Sequence, residues 1–229
     1  MINATFNQEE IFNDREADAW FHRNSVHGLE VASSDHRVLK SLKRVDLPQQ
    51  GVMLDIGGAA GSVAAGFKRD HPNWECCVIE PSTEAIKAGR EAFPDLDFIQ
   101  GSICQFDKFP QSLGDVVIMS GVFCWVDRLL LTRAICNVDQ ALKVGGLLVI
   151  SDFDSPFLRA NPYKHHKGLY TYKQNYSDIF KQLGTYHLMS HNSECLSAHT
   201  AYDSQDSYDC QWSTSVLRKD PVGRYFRSA

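Results

Sequence analysis

From residue 50 onward, short apolar runs alternate with stretches of helical period. "VMLDI" (52–56), "WECCVIE" (74–80), "LDFIQG" (96–101), "DVVIMS" (115–120) and "LLVISDF" (147–153) read as strands. The fourth is apolar on both faces, as a central strand of a covered parallel sheet must be. Between them, "SVAAGFKRDH" (62–71), "TEAIKAGREAF" (83–93) and "DRLLLTRAICNVDQAL" (127–142) carry the i, i+3, i+4 spacing of helices. Ser62 opens the first, with Pro72 just past its end. Ser82 can cap the second, which Pro94 ends, and Gly145-Gly146 turn the chain into the fifth strand. Strand–helix alternation with short connections predicts a parallel α/β sheet with right-handed crossovers.

The flanks differ. Residues 1–47 read as helical and precede the sheet. Residues 154–176 hold two prolines, adjacent histidines and four tyrosines, too long and aromatic for a plain connection. "YSDIFKQLG" (176–184) returns to helix, with Ser177 as its cap and Gly184 as its stop. "YHLMSHNSECL" (186–196) and "CQWSTSVLRKD" (210–220) alternate like two antiparallel edge strands. One domain over 1–229 is expected, and no internal repeat is visible.

Composition narrows the classes. A net charge of −5 argues against a nucleic-acid scaffold, which would show a basic stripe. The polar, acidic opening "MINATFNQEEIFNDRE" lacks the apolar region of a leader, and no apolar run is long enough to span a bilayer. The cysteine count is seven, an odd number, and several fall in apolar runs. Reduced thiols in a cytoplasmic protein, with no membrane or nucleic-acid partner, are the expectation. Cys76 and Cys77 should point to opposite sheet faces.

The turn "LDIGGAAGS" (54–62) carries the candidate chemistry. Small residues let a ligand approach the backbone, and the helix that follows offers free N–H groups. The dinucleotide fingerprint fails: from Gly57, the second and third glycines fall on Ala59 and Ser62. The phosphate loop fails because Phe67 follows Gly66 where lysine is needed. An acidic-x-Gly-x-Gly-x-Gly pattern remains. Asp55, Gly57 and Gly61 match it, Ala59 takes the middle glycine's place, and Gly58 completes the turn.

That turn resembles the first motif of class I S-adenosylmethionine (SAM)-dependent methyltransferases, and later segments follow the family's order. The resemblance implies a Rossmann-like sheet of seven strands in the order 3-2-1-4-5-7-6, strand seven antiparallel, with helices on both faces. It implies SAM as cofactor. Asp55 would meet its ammonium, and Glu80, at the end of strand two with Pro81 and Ser82, would accept the ribose hydroxyls. "IQGSICQFD" (99–107) resembles the third motif, so Gly101, Ser102 and Ile103 would flank the adenine. The family often has Asp at the place of Ser102, so the amino contact passes to backbone or to Gln105. "GDVVIMSGVFCWVDR" (114–128) resembles the fourth motif and supplies Ser120, Gly121 and Val122. "ALKVGGLLVISDF" (141–153) resembles the Leu-Lys-Pro-Gly-Gly segment, with Val144 for proline. "ADAWFHRN" (17–24) looks like the opening of some bacterial members, which adds Trp20, Arg23 and Asn24 to the cofactor side.

The chain then divides into a helical lid (1–47), a SAM-binding core (50–153), an acceptor-side insertion (154–176) and a C-terminal helix with antiparallel strands (177–220). Methyl transfer to a polar small molecule, a sugar or a secondary metabolite, is expected. Phe123, Trp125, Tyr163 and Tyr172 would bind the acceptor. His166, with His165 and Tyr170 beside it, would deprotonate it. No metal site is expected: His187 and His191 fall on a strand, where the i, i+4 zinc arrangement fails. Two other readings stay open, a non-catalytic SAM-binding subunit and a transferase of SAM's aminocarboxypropyl arm.

Overall fold

The computed structural model describes residues 8–105, 111–197, 200–201, 203 and 207–220. Residues 1–7 of the expected lid and 106–107 of the third motif lie outside them. The centre is a sheet of parallel strands. β1 (Val52–Ile56) pairs with β2 (Glu75–Glu80) on one side and β4 (Gly114–Ser120) on the other. β3 (Asp97–Gln100) extends the sheet beyond β2, and β5 (Leu142–Phe153) lies beyond β4. β10 (Gln211–Lys219) runs antiparallel between β5 and β8 (Tyr186–Cys195). The expected order therefore holds through these strands. One correction is needed: the two residues of β9 (Thr200–Ala201) pair with β8, so the sheet has eight strands.

Two apolar cores lie against the two faces of the sheet, as strands apolar on both sides require. Leu54, Val117, Met119 and Leu148 join α6 (Leu131–Ala141) and α7 (Tyr176–Gln182) on one face. Met53, Val116, Ile118 and Val149 join α3 (Arg37–Leu42), α4 (Ser62–Asp70) and α5 (Thr83–Ala92) on the other. Cys76 enters the second core, while Cys77 packs against the first. Gly89 lets α5 seat closely: a Cβ there would lie 2.6 Å from both the Ala60 carbonyl and the Phe98 ring. Ser82 caps α5, its hydroxyl accepting from the Ala85 N–H at 3.0 Å.

Three local expectations are corrected. The helix expected from 127 begins at Leu131, because the Asp127 carboxylate accepts the Leu129 N–H at 2.9 Å and holds a turn instead. Asn175, not Ser177, caps α7. Its Oδ1 accepts the Asp178 N–H at 3.1 Å, and Ser177 donates to the same oxygen. Gly145 and Gly146 lie within β5 rather than before it, where the pairing with β4 shifts register.

The N-terminal segment is one continuous helical run. α1 (Gln8–Ile11) passes through a π-helical turn (Phe12–Glu16) into α2 (Ala17–Gly28). It is clamped at its start and near its middle. Buried Gln8 donates to the carbonyls of Trp125 and Tyr170 at 2.7 and 2.9 Å and accepts the Tyr170 N–H. Asp18 accepts from the Ser82 hydroxyl at 2.6 Å, at the start of α5. Burial raises the Asp18 pKa, but hydrogen bonds from Ser82, Glu84 and Thr83 outweigh it and hold the carboxyl low. The 154–176 insertion forms a separate hairpin of β6 (Arg159–Pro162) and β7 (Tyr170–Lys173). Among the described residues, no helix is long and apolar enough to cross a membrane.

Candidate functional site

A cavity of about 300 Å³ lies across the C-terminal ends of β1, β2 and β4, under the N-terminal helix. The sheet order arranges its wall. Gly101, Ser102 and Ile103 after β3 form one end. Glu80 and Pro81 after β2 come next, then Gly57 and Ala59 after β1. Ser120, Gly121 and Val122 after β4 follow, with Trp125, Val126 and Trp212 at the far end. The helical run adds Glu9, Phe12, Asn13, Ala17 and Trp20 as the roof. Among the described residues, Glu9 and Glu80 are the wall's only charged side chains, and no lysine, arginine or histidine lines it.

The turn is shaped by what it leaves out. Gly57 sits at φ +69°, and a Cβ there would lie 2.5 Å from Val122 Cγ2. A Cβ on Gly58 would lie 2.6 Å from Asp55 Cγ. Ala59 takes φ +49° despite its side chain, a strain of about 1 kcal/mol. Its N–H donates to Glu80 Oε2 at 3.0 Å, which helps hold it there. Glu80 Oε1 accepts the Ser82 N–H at 2.9 Å. Each Glu80 oxygen thus holds one backbone donor and keeps capacity for another.

Two buried carboxyls share this region. Burial pushes Glu80 up to about 7, against its two backbone donors, with nearby Asp18 adding to the rise. Burial also pushes Asp55 up to about 7, with the charge of Glu80 adding and the Ala64 N–H opposing. Asp55 Oδ2 is buried without a hydrogen-bond partner. The sign for stability follows. Between about pH 4 and 7 the folded state keeps a proton on Asp55 that the unfolded chain has lost, so stability falls as pH rises. Above pH 7 the deficit is on the order of 4 kcal/mol. Asp55→Asn should therefore raise the melting temperature at pH 8 and do little at pH 4, a difference that thermal unfolding at the two pH values reads directly. An equal change at both would mean that Asp55 is not held protonated.

The expected residues separate into three groups. Gly57, Ala59, Glu80, Pro81, Gly101, Ser102, Ile103, Ser120, Gly121, Val122, Trp20 and Trp125 line the cavity. Asp55, Gly58, Gly61 and Ser82 lie behind the wall: Asp55 beneath Gly58, Gly61 at φ +88° before α4, and Ser82 as the α5 cap. The rest stand apart. Arg23 pairs with Glu16 and donates to the Tyr163 hydroxyl at 2.8 Å. Asn24 donates back to the Trp20 carbonyl. Phe123 is fully buried, stacked on Tyr176 at 5.3 Å. Tyr163 packs edge-on against Trp125 at 4.7 Å, so it braces the wall rather than lining it. Tyr170 and Tyr172 share a face, 6.4 Å apart, and Arg128 lies over Tyr172. His165 is exposed against Tyr163, and His166 Nδ1 lies 3.0 Å from the Lys167 carbonyl. Neither imidazole is part of the wall.

Sequence reading missed Glu9, Phe12, Asn13 and Ala17 in the roof, Trp212 in the far wall, and the clamps Gln8 and Asp18. Gln105, expected near the adenine, is already used: its Oε1 accepts the Ser102 N–H at 3.0 Å.

Residues 54–150 match a family model described as a methyltransferase domain. The O-methyltransferase kk1A of Curvularia clavata is 26% identical over 137 residues, 57% of this chain and 32% of that protein. The chain thus spans about a third of that relative's length. A SAM-dependent methyltransferase from Methanosarcina mazei superposes with a TM-score of 0.58 at 17% identity, covering 76% of this chain and 94% of its own. The 1,6-didemethyltoxoflavin-N1-methyltransferase of Burkholderia thailandensis, solved with 1,6-didemethyltoxoflavin and S-adenosylhomocysteine bound, gives a TM-score of 0.57 at 13% identity, covering 93% of this chain and 82% of its own. At these identities the structures share the fold.

Proposed function

We propose that this chain, whose residues 54–150 match a methyltransferase-domain family model, binds SAM in the cavity and transfers its methyl group to a small molecule. The observation that carries the reading is Glu80. It is a buried carboxylate in the cavity wall, tied to the glycine turn through Ala59 and retaining acceptor capacity on both oxygens. That arrangement suits a vicinal diol, as in a ribose. The Gly57 backbone, which lines the cavity without a side chain, suits a ligand held against backbone. When bound, SAM supplies a methyl group already activated on a sulfonium.

The chain's own contribution is alignment and exclusion of water. The N-terminal helical run acts as the lid, held by Gln8 at its start and by Asp18 near its middle. The acceptor enters beside β4 and β10, where Phe12, Trp125 and Trp212 offer apolar faces and Ser120 a hydroxyl. A small molecule with a flat face fits this end. The β6–β7 hairpin supports the region from outside, through Tyr163 on Trp125 and Tyr170 on Gln8. With no imidazole in the wall, we assign no base to His165 or His166, and the acceptor is one that is nucleophilic near neutral pH.

The test is incubation with methyl-labelled SAM and a panel of flat heteroaromatic acceptors, followed by mass analysis of the nucleoside. S-adenosylhomocysteine with label in the acceptor is the expected result. Methylthioadenosine would mean transfer of the aminocarboxypropyl arm instead.

A further inference from the structure

We propose that Glu9, on the N-terminal helix, is the residue that reads the exocyclic amino group of the cofactor's adenine. This rests on the cofactor reading above. Sheet order fixes which part of a ligand meets which wall. With a ribose on Glu80 after β2, a base extending away from β4 reaches the end built by the loop after β3. There Pro81 and Ile103 supply apolar surfaces for a flat ring. The acceptor needed for an amino group is not supplied by Gln105, which does not line the cavity and whose carbonyl oxygen accepts the Ser102 N–H.

Glu9 stands at that end, brought there by the helix rather than by the loop. Ser102 orients it. The Ser102 hydroxyl accepts the Cys104 N–H at 3.2 Å, so its own proton goes to Glu9 Oε1. Asn13 Nδ2, one helical turn on, donates to the same oxygen at 3.1 Å. The Cys104 thiol also hydrogen-bonds to the Glu9 carboxylate; a carboxylate has about four lone-pair sites, so capacity remains after these three donors, and the side chain forms part of the cavity wall. A carboxylate anchored by these donors in the cavity wall can still accept from an N–H donor. It repels the carbonyl that would replace that donor in an oxo-purine. In this arrangement the lid helix also selects the purine, and cofactor binding holds the helix closed.

The experiment compares S-adenosylhomocysteine with S-inosylhomocysteine, in which the amino group is an oxo group. Both are titrated calorimetrically into the wild type, Glu9→Ala and Glu9→Gln. The wild type should favour the adenosyl ligand by about 30-fold or more, the discrimination of a site whose polar group would be left unpaired. Glu9→Ala should lose about tenfold for the adenosyl ligand while the inosyl ligand binds no worse. Glu9→Gln should narrow the ratio further, since its amide can turn an N–H₂ toward the oxo group. A purely structural role for Glu9 would weaken both ligands in parallel and leave the ratio unmoved, which would overturn the proposal. A ratio at the wild-type value in both variants, with adenosyl affinity intact, would overturn it equally. A wild type that binds neither ligand would overturn the cofactor reading itself, and the Glu9 proposal with it.

Discussion

Glu80→Ala should weaken S-adenosylhomocysteine binding by about 1.5–3 kcal/mol, roughly 10- to 150-fold, the scale of hydrogen bonds to a charged group. The loss has two sources. The acceptors for the ribose hydroxyls go, and the Ala59 and Ser82 N–H groups lose their anchor. Ala59, at φ +49°, has less reason to keep a left-handed conformation once that bond is gone. Glu80→Gln should fall between wild type and Ala, because its amide oxygen can keep one backbone donor while its N–H₂ opposes the other. Calorimetry gives the affinities, and thermal unfolding confirms that the variants are folded. Undiminished affinity in a folded Glu80→Ala protein would show that the ribose is held elsewhere.

Binding should also depend on pH, through the same group. Glu80 lies at about 7 in the free protein, raised chiefly by burial. A ligand that donates hydroxyls to it and brings positive charge nearby favours the ionised form and lowers that pKa. The bound state then holds fewer protons than the free state, so binding strengthens as pH rises through 7 and levels off above about 8. Below 7, affinity should fall by up to tenfold per pH unit, with up to one proton released per ligand near pH 6. Titrations in buffers of different ionisation enthalpy measure that proton. Glu80→Gln should flatten most of the profile; the remainder belongs to Asp55, which is coupled to Glu80 and also lies at about 7. An affinity independent of pH from 5.5 to 8 would contradict the assignment.

The sheet was legible because its strands carry their signal locally. Runs such as "DVVIMS" are apolar on both faces, and each is punctuated by proline, glycine or a serine cap. The turn residues were legible for the same reason, since left-handed glycines and a strand-end acid are properties of adjacent positions. What the sequence hid depends on contacts between distant positions. Glu9 meets Ser102, and Gln8 meets Trp125 and Tyr170, across more than ninety residues, and no local pattern announces such partners.

The N-terminal helix was expected from the start of the chain, and of the three residues expected on its inward side one lines the cavity. Trp20 faces the cavity, whereas Arg23 is consumed by buried Glu16 and Asn24 by its own helix. The histidines illustrate a different failure. Extended alternation was assumed through 163–172, but residues 164–168 form the turn of the β6–β7 hairpin, closed by the Tyr163 N–H on the Leu169 carbonyl at 2.8 Å. A turn side chain points according to its own backbone angles, and alternation holds only from Tyr170, where β7 begins. Asp127 shows the same competition on a smaller scale: its short polar side chain takes the Leu129 N–H, and the helix expected from 127 starts at Leu131.

Calorimetric titration of the protein with SAM, S-adenosylhomocysteine, NAD and ATP at pH 8 tests the central claim most directly. The account predicts one site for SAM and for S-adenosylhomocysteine, and no binding of NAD or ATP. The dinucleotide and phosphate-loop patterns fail at Ala59, Ser62 and Phe67, and among the described residues the cavity wall presents two carboxylates and no cation. Tight binding of NAD with no response to SAM would contradict it.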